Sequence, residues 1–159
     1  MNKESNVLEL FFNESSKHWH FEEIIKASKL SRDKANNWLI RFQKEKLIKK
    51  IKEKSKMPYY IADFESPNYK NRKKLYALEK FYKTGLLNHL MGLKEAKTII
   101  LFGSFSRSDW HTTSDIDIFI LGNADEFEQG LYEKKLGREI QTFIYKEGVL
   151  PSITPSLFK

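Results

Sequence analysis

Apolar residues recur at helical spacing in three stretches near the start of the chain. The members of these stretches are Val7, Leu8, Leu10, Phe11 and Phe12, then Phe21, Ile24, Ile25 and Leu30, then Ala35, Trp38, Leu39 and Phe42. Each stretch predicts an amphipathic helix with one buried face. Ser31 stands where an N-cap residue is expected before the third helix. Two helices joined by a short turn in this way predict a helix-turn-helix.

A hairpin and a long helix are predicted next. Residues 47–52 and 58–64 have strand character around a lysine-rich turn, which is typical of the wing of a winged helix. Ser66 and Pro67 are typical of a helix start. The apolar residues that continue this helix to about Met91 are Leu75, Leu78, Phe81, Tyr82, Leu86 and Leu90. We therefore expect a winged helix-turn-helix domain over 1–65 and a connecting helix over 66–95.

The last third of the chain has a strand-rich pattern. Residues 98–102 form a short apolar run, and Ile116, Ile118 and Ile120 alternate with other side chains as in a strand. A helix is predicted over 125–136 and a third strand over 138–145, followed by an extended tail with Pro151 and Pro155. The prediction is a mixed α+β chain whose residues 96–159 form a small α/β sheet domain. We expect so short a segment to lean on the connecting helix or on a second subunit, which makes a homodimer one expected arrangement.

Charge is distributed unevenly between these parts. Residues 1–95 hold 21 Lys and Arg against 12 Asp and Glu, whereas residues 96–159 hold 7 against 9. A basic first part indicates contact with a polyanion. The absence of cysteine excludes disulfides and thiolate metal sites. Because the sequence shows no membrane span and no secretory signal, we expect a cytoplasmic protein.

The segment from Leu101 to Ile118 carries the candidate chemistry. Gly103 follows the apolar strand and permits a tight turn with close approach of the backbone to a ligand. Ser104 is expected to open a short helix whose free N–H groups suit phosphate oxygens. Arg107, one turn later, is placed to add a charge-assisted contact to the same anion.

Two aspartates follow this turn on the next strand. Asp115 and Asp117 are two residues apart, so both side chains are expected on one face of the strand. Carboxylates in this arrangement suit Mg²⁺ that is shared with substrate phosphates. The alternative is that both are solvated acids on an exposed strand.

Gly103-Ser104, a ten-residue gap and Asp115-x-Asp117 together resemble the signature of the DNA polymerase β-like nucleotidyltransferase superfamily. More narrowly, residues 96–147 are similar to its minimal nucleotidyltransferases of archaea and bacteria. The resemblance implies a nucleoside triphosphate bound at Gly103 and Ser104, and Mg²⁺ or Mn²⁺ held by Asp115 and Asp117. Some minimal members are antitoxins that modify a partner toxin, so the resemblance also suggests a protein acceptor.

The chain departs from this family pattern at two places. Ser108 stands where the family usually has glycine after the arginine. The third carboxylate of the family is expected on the next strand, where this chain has Gln141. An amide cannot act as a general base. Glu139 is the alternative, either from one pleat away on the same strand face or through a register shifted by two residues. The remaining alternative is a site that binds nucleotide and metal while transferring poorly or not at all.

The predicted winged helix offers candidate DNA contacts. These are Arg32, Lys34, Asn36, Asn37 and Arg41 on the third helix and Lys52 and Lys54 in the wing. Arginine and asparagine read guanine and adenine edges in the major groove, and lysines contact phosphates. The alternative is a protein-docking module with a solvated basic surface. The whole chain is thus expected to be a transferase fused to a DNA-binding domain, or a DNA-binding regulator whose second domain only senses nucleotide.

Overall fold

Helices and strands follow one another in a mixed α/β order, as the sequence predicts. The computed structural model describes residues 3–146, so the predicted extended tail with Pro151 and Pro155 lies outside the described residues. The chain divides into two units, residues 1–73 and 74–159, and the domain bounds at 65 and 95 stay predictions. Among the helices of residues 3–146, none combines the length and the apolar character needed to cross a membrane.

The first unit contains three helices followed by an antiparallel hairpin. The helices are α1 (Lys3–Asn13), α2 (Phe21–Ser28) and α3 (Arg32–Lys44), and the strands are β1 (Ile48–Ile51) and β2 (Tyr59–Ala62). Ser31 is the N-cap residue of α3, as predicted, although its side chain makes no capping hydrogen bond. A bridge between Trp19 and Tyr60 adds a third short extended segment beside the hairpin, which the sequence did not predict.

Aromatic packing joins α1 to the helix that follows the hairpin, α4 (Pro67–Thr84). Phe12 and Tyr69 lie with ring centroids 5.5 Å apart. The Tyr69 hydroxyl donates a 2.8 Å hydrogen bond to the carbonyl oxygen of Phe11. Burial raises the pKa of this hydroxyl, so it remains a donor across the whole physiological range. The start of α4 is therefore fixed within the first unit by both ring packing and a buried hydrogen bond.

The second unit is built on a three-stranded sheet. Its further elements are α5 (Leu86–Met91), β3 (Ala96–Phe102), α6 (Gly103–Arg107), β4 (Ile116–Gly122), α7 (Gln129–Leu136) and β5 (Ile140–Tyr145). Strand β4 is central, antiparallel to β3 and parallel to β5. Ile116, Ile118 and Ile120 are completely buried. Because side chains alternate along a strand, the residues between these isoleucines project from the other face of the sheet.

Side chains of α7 cover the start of the edge strand β5. The Ile140 N–H donates to the Glu133 carboxylate at 3.0 Å, and the Gln129 amide donates to the Ile140 carbonyl at 2.8 Å. The hydrogen bond from the Ile140 backbone, and then the one from the Gln129 side chain, lower the pKa of Glu133. Strand edges expose unpaired backbone groups, and here side chains of α7 pair with the N–H and the carbonyl of Ile140. The same contacts fix the position at which β5 begins.

The single long helix predicted up to Met91 is two helices. Gly85 has a φ of 84°, in the left-handed region, and separates α4 from α5. Glycine occupies that region without steric penalty, so the helical pattern alone did not reveal the break. Leu75 and Tyr82, whose spacing predicted the helix, are 60% and 62% exposed.

Two further element boundaries differ from the prediction. Helix α7 begins at Gln129 instead of Asp125, and the last strand begins at Ile140 instead of Arg138. The side chain of Asn123 accepts a hydrogen bond from the Asp125 N–H at 2.8 Å. Side-chain bonds to nearby backbone groups compete with helix formation, which explains the later start of α7.

Candidate functional site

The turn between β3 and α6 brings the backbone of Gly103 against an aspartate. Gly103 has a φ of 66°. A Cβ atom at this position would lie 1.9 Å from Oδ2 of Asp117 and 2.8 Å from its Cγ. No non-glycine residue fits here without moving the carboxylate. The sequence predicted a close approach of the Gly103 backbone to a ligand, which stays a prediction. The group that the structure places against this backbone is the Asp117 carboxylate.

Asp115 and Asp117 lie at the start of the central strand. Asp117 pairs in register with Phe102 on β3 and with Gln141 on β5. The two aspartates flank Ile116, which is completely buried, so both project from the face opposite the isoleucine core. Burial first, and then the charge of Asp115, raise the pKa of Asp117, while Arg107 opposes the rise. The pair thus places two neighbouring carboxylates on one face of the sheet, with Arg107 offsetting only part of their effect on each other.

Gln141 occupies the position beside Asp117 that the sequence assigned to it. Its amide donates a 2.8 Å hydrogen bond to Oδ2 of Asp115. Glu139, the alternative for the third carboxylate, precedes β5, and its carbonyl oxygen accepts the Ile116 N–H at 2.9 Å. The register with Glu139 beside Asp117 is therefore not the one observed. Gln141 orients Asp115 but adds no charge to the site.

The donor set fits a hard divalent cation that is shared with a substrate. Within the part of the chain that the structure describes, no group of three or more His, Cys, Asp or Glu side chains is arranged to hold a metal ion. A divalent cation at this place would have two protein carboxylates available, those of Asp115 and Asp117. Mg²⁺ is commonly held by one or two carboxylates, with water and phosphate oxygens completing its shell. A cation here would offset both the burial of Asp117 and the charge of Asp115, which together raise the pKa of Asp117.

Arg107 lies at the end of α6 and is exposed. Its Nε donates to the Asp109 carboxylate at 2.9 Å. The guanidinium charge nevertheless acts on Asp117, because it opposes the rise of that pKa. The charge of Arg107 therefore influences Asp117. A phosphate contact of Arg107 would compete with its exposed ion pair to Asp109.

Arg138 is a residue of this region that the sequence did not single out as functional. Its Nη1 donates to the carbonyl oxygens of His111, Thr112 and Ser114 at 2.7, 2.9 and 3.0 Å. These carbonyls belong to the loop that leads into Asp115. The only signal in the sequence was the Gly137-Arg138 dipeptide before the last strand, and it does not reveal the partners.

The candidate DNA contacts lie on two parts of the first unit. All of the candidates are exposed, and they are Arg32, Lys34, Asn36, Asn37 and Arg41 on α3 and Lys52 and Lys54 in the hairpin turn. Arg32 pairs with Glu22 at 2.7 Å, and Arg41 pairs with Glu45 at 2.6 Å. Exposed ion pairs contribute typically below about 1 kcal/mol, so a nucleic acid phosphate can displace them.

Comparison with known proteins concerns mainly the second unit. No curated protein and no solved structure matches the chain. A family model described as a nucleotidyltransferase domain matches residues 86–151. The match begins at α5, earlier than the predicted start of the resemblance at residue 96, and it includes Gly103, Ser104 and both aspartates. The winged helix stays a prediction. Residues 86–151 are therefore similar to nucleotidyltransferase domains.

Proposed function

We propose that the segment 86–151 transfers a nucleoside monophosphate from a nucleoside triphosphate to a hydroxyl group. The observation that supports this proposal most directly is the close packing of the Asp117 carboxylate against the backbone of Gly103. It brings a carboxylate pair suited to a metal next to a turn suited to phosphates. The match of this segment to the nucleotidyltransferase model supports the same reaction.

Asp115 and Asp117 are the residues that would hold the divalent metal, Mg²⁺ or Mn²⁺. Such an ion supplies charge neutralisation on the phosphates and orients the leaving group. Gly103 and Ser104 are proposed to bind the triphosphate through their backbone, and Arg107 through its guanidinium group. In this arrangement the aspartates act by binding and orienting.

The proposed reaction exchanges one bond for another at the α-phosphorus. The acceptor oxygen forms a bond to that phosphorus, and the bond from the phosphorus to the bridging oxygen of pyrophosphate breaks. The acceptor hydroxyl proton goes to solvent, because the Gln141 amide cannot accept it. A general base contributes roughly 10²–10⁴-fold to rate, so we expect slow transfer.

A transfer assay tests the proposal. The full chain is incubated with Mg²⁺ or Mn²⁺, each α-³²P-labelled nucleoside triphosphate, and one of three acceptors: the chain itself, lysate protein, or short RNA and DNA. We expect label on one acceptor, and its loss in Asp115→Asn/Asp117→Asn. The control Asp125→Asn/Glu126→Gln removes the same charge elsewhere in the second unit and should retain activity. Equal labelling by the wild type and the Asp115/Asp117 variant would refute the site.

A DNA-binding regulator that senses nucleotide is the second candidate function. The arrangement of three helices and a hairpin, with the added bridge at Trp19, supports a winged helix in the first unit. The Gln141 hydrogen bond to Asp115 favours binding without efficient transfer. In this candidate the second unit would report on nucleotide, and the first unit would bind DNA.

The dependence of DNA affinity on salt concentration tests this second candidate. Each lost phosphate contact lowers the slope of log K against log salt by about 0.9. Lys52→Ala/Lys54→Ala should therefore weaken binding to duplex DNA and reduce the slope by about 2. Lys94→Ala/Lys134→Ala removes the same charge from the second unit and should leave the slope unchanged. Equal slopes for the wild type and the Lys52/Lys54 variant would exclude the hairpin as a DNA contact.

A further inference from the structure

One arginine in the second unit ties together the two strand starts that carry the candidate site. Arg138 lies two residues before β5, the strand of Gln141, and its Nη1 donates to three carbonyl oxygens in the loop before β4. Those three acceptors are separated from Arg138 by 27, 26 and 24 residues along the chain. One side chain thus gives hydrogen bonds to three carbonyl oxygens of the loop.

The loop that Arg138 holds is itself a tight turn. The Ser114 N–H donates to the His111 carbonyl at 3.1 Å, and the Ser114 hydroxyl accepts the His111 N–H at 2.9 Å. Ser114 is followed directly by Asp115. A shift of this turn would therefore change the direction in which the Asp115 carboxylate leaves the strand.

Two aromatic rings also contact the Arg138 guanidinium group. The Arg138 guanidinium carbon lies 5.4 Å from the ring centre of Phe105 and 5.3 Å from that of Trp110. Phe105 belongs to α6, the helix that begins at Gly103. The two rings are stacked, with their centroids 5.1 Å apart and their planes 8° apart. Arg138 therefore contacts both α6, the helix that begins at Gly103, and the loop that leads into Asp115.

We propose that Arg138 is a positioning residue for the transfer site, and that it sets Asp115 relative to Gly103 before any substrate binds. This inference rests on the proposed function of the Asp115/Asp117 pair. Because three loop carbonyls accept from its Nη1, this nitrogen of Arg138 acts on the loop. A lysine has no planar group to lie against the two rings, so it cannot reproduce the arrangement.

Metal affinity and local exchange test this role without requiring activity. Mn²⁺ binding to the full chain is measured by electron paramagnetic resonance, with ATP present, for the wild type, Arg138→Ala and Arg138→Lys. Loss of a group that orients a metal ligand typically weakens metal affinity 10–100-fold. We expect a loss of about 10-fold or more in Arg138→Ala and a partial loss in Arg138→Lys. Circular dichroism melts show whether either variant is folded at the assay temperature.

Guanidinium at millimolar concentration provides a rescue experiment. It should occupy the space between the rings and the carbonyls in Arg138→Ala and restore Mn²⁺ binding. The same salt should have no effect on the wild type or on Lys134→Ala, a matched loss of charge in α7. A folded Arg138→Ala variant with wild-type Mn²⁺ affinity would overturn the proposal, and so would a lost affinity that guanidinium does not restore.

Amide hydrogen exchange separates this proposal from the proposed function. Absence of Mn²⁺ binding in the wild type would refute the metal site itself. Exchange in the segment 111–116 would still report on the loop. We expect faster exchange there in Arg138→Ala than in the wild type, while α2 and α3 keep their rates. Equal exchange in that segment would overturn the positioning role whatever the metal result.

Discussion

Replacing Asp117 with asparagine should stabilise the metal-free protein. Burial and the charge of Asp115 raise the pKa of Asp117 above its ordinary value of 3.8. The ionised form therefore destabilises the folded state at neutral pH. Asparagine is nearly the same size and removes the charge, so the destabilisation should disappear.

The magnitude follows from the strand geometry. Residues two apart on a strand have side chains roughly 6–7 Å apart. Two like charges at that separation repel by about 2.5 kcal/mol at an effective dielectric constant near 20 and about 0.6 kcal/mol in water. Asp117 is partly exposed, so we expect a gain of about 1 kcal/mol, within these limits. For a unit of this size that corresponds to a rise in Tm of about 4–8 °C.

Thermal melts in EDTA at several pH values provide the assay. Because the pKa of folded Asp117 is raised, its penalty is complete above that pKa and disappears as pH falls below 3.8. The advantage of Asp117→Asn should therefore be present at pH 7 and vanish near pH 3.5. With Mg²⁺ and nucleoside triphosphate the order should reverse, because only the wild type gains stability from binding. A metal-free Asp117→Asn variant that melts below the wild type at pH 7 would refute this reasoning.

Three further changes have definite expected outcomes. Gly103→Ala should abolish metal-dependent nucleotide binding and lower Tm, because its Cβ would lie 1.9 Å from the Asp117 carboxylate; a variant with wild-type calorimetric titrations would contradict the geometry. Gln141→Asp should raise the transfer rate by roughly 10–100-fold in the radiolabel assay, since it adds a carboxylate that can accept a proton; an unchanged or lower rate would exclude the missing base as the limitation. Glu133→Gln should lose less folding stability than the wild type as the pH is lowered, because the pKa of Glu133 is lowered below its ordinary 4.5. The wild type loses that contribution as pH falls below about 4.5, and identical acid denaturation curves for the two proteins would disprove it.

The sequence predicted those features of the site that are encoded locally. Gly103 and the two aspartates follow from strand periodicity and spacing, and the parallel register places Gln141 beside Asp117 as expected. The first depends on patterns that repeat over a few residues. The second was expected from the resemblance to the nucleotidyltransferase signature, and the parallel pairing agrees with it.

Features that depend on contacts between distant segments could not be predicted in this way. Arg138 has carbonyl oxygens as partners, which every residue carries, so no residue pattern indicates where it binds. Gly85 is compatible with either a helix interior or a helix break. The late start of α7 has a local contribution from the Asn123 side chain and a distant one from His89, which accepts the Glu128 N–H from 39 residues earlier. In each case tertiary contacts decided between local alternatives of similar energy.

The most direct test of the central claim is calorimetric titration of the full chain with nucleoside triphosphate, with and without Mg²⁺. The account predicts binding that requires the metal and is lost in Asp115→Asn/Asp117→Asn, with both proteins equally folded by circular dichroism. Asp125→Asn/Glu126→Gln should bind like the wild type. Binding of equal strength in the Asp115/Asp117 variant, or binding that does not depend on the metal, would contradict the account.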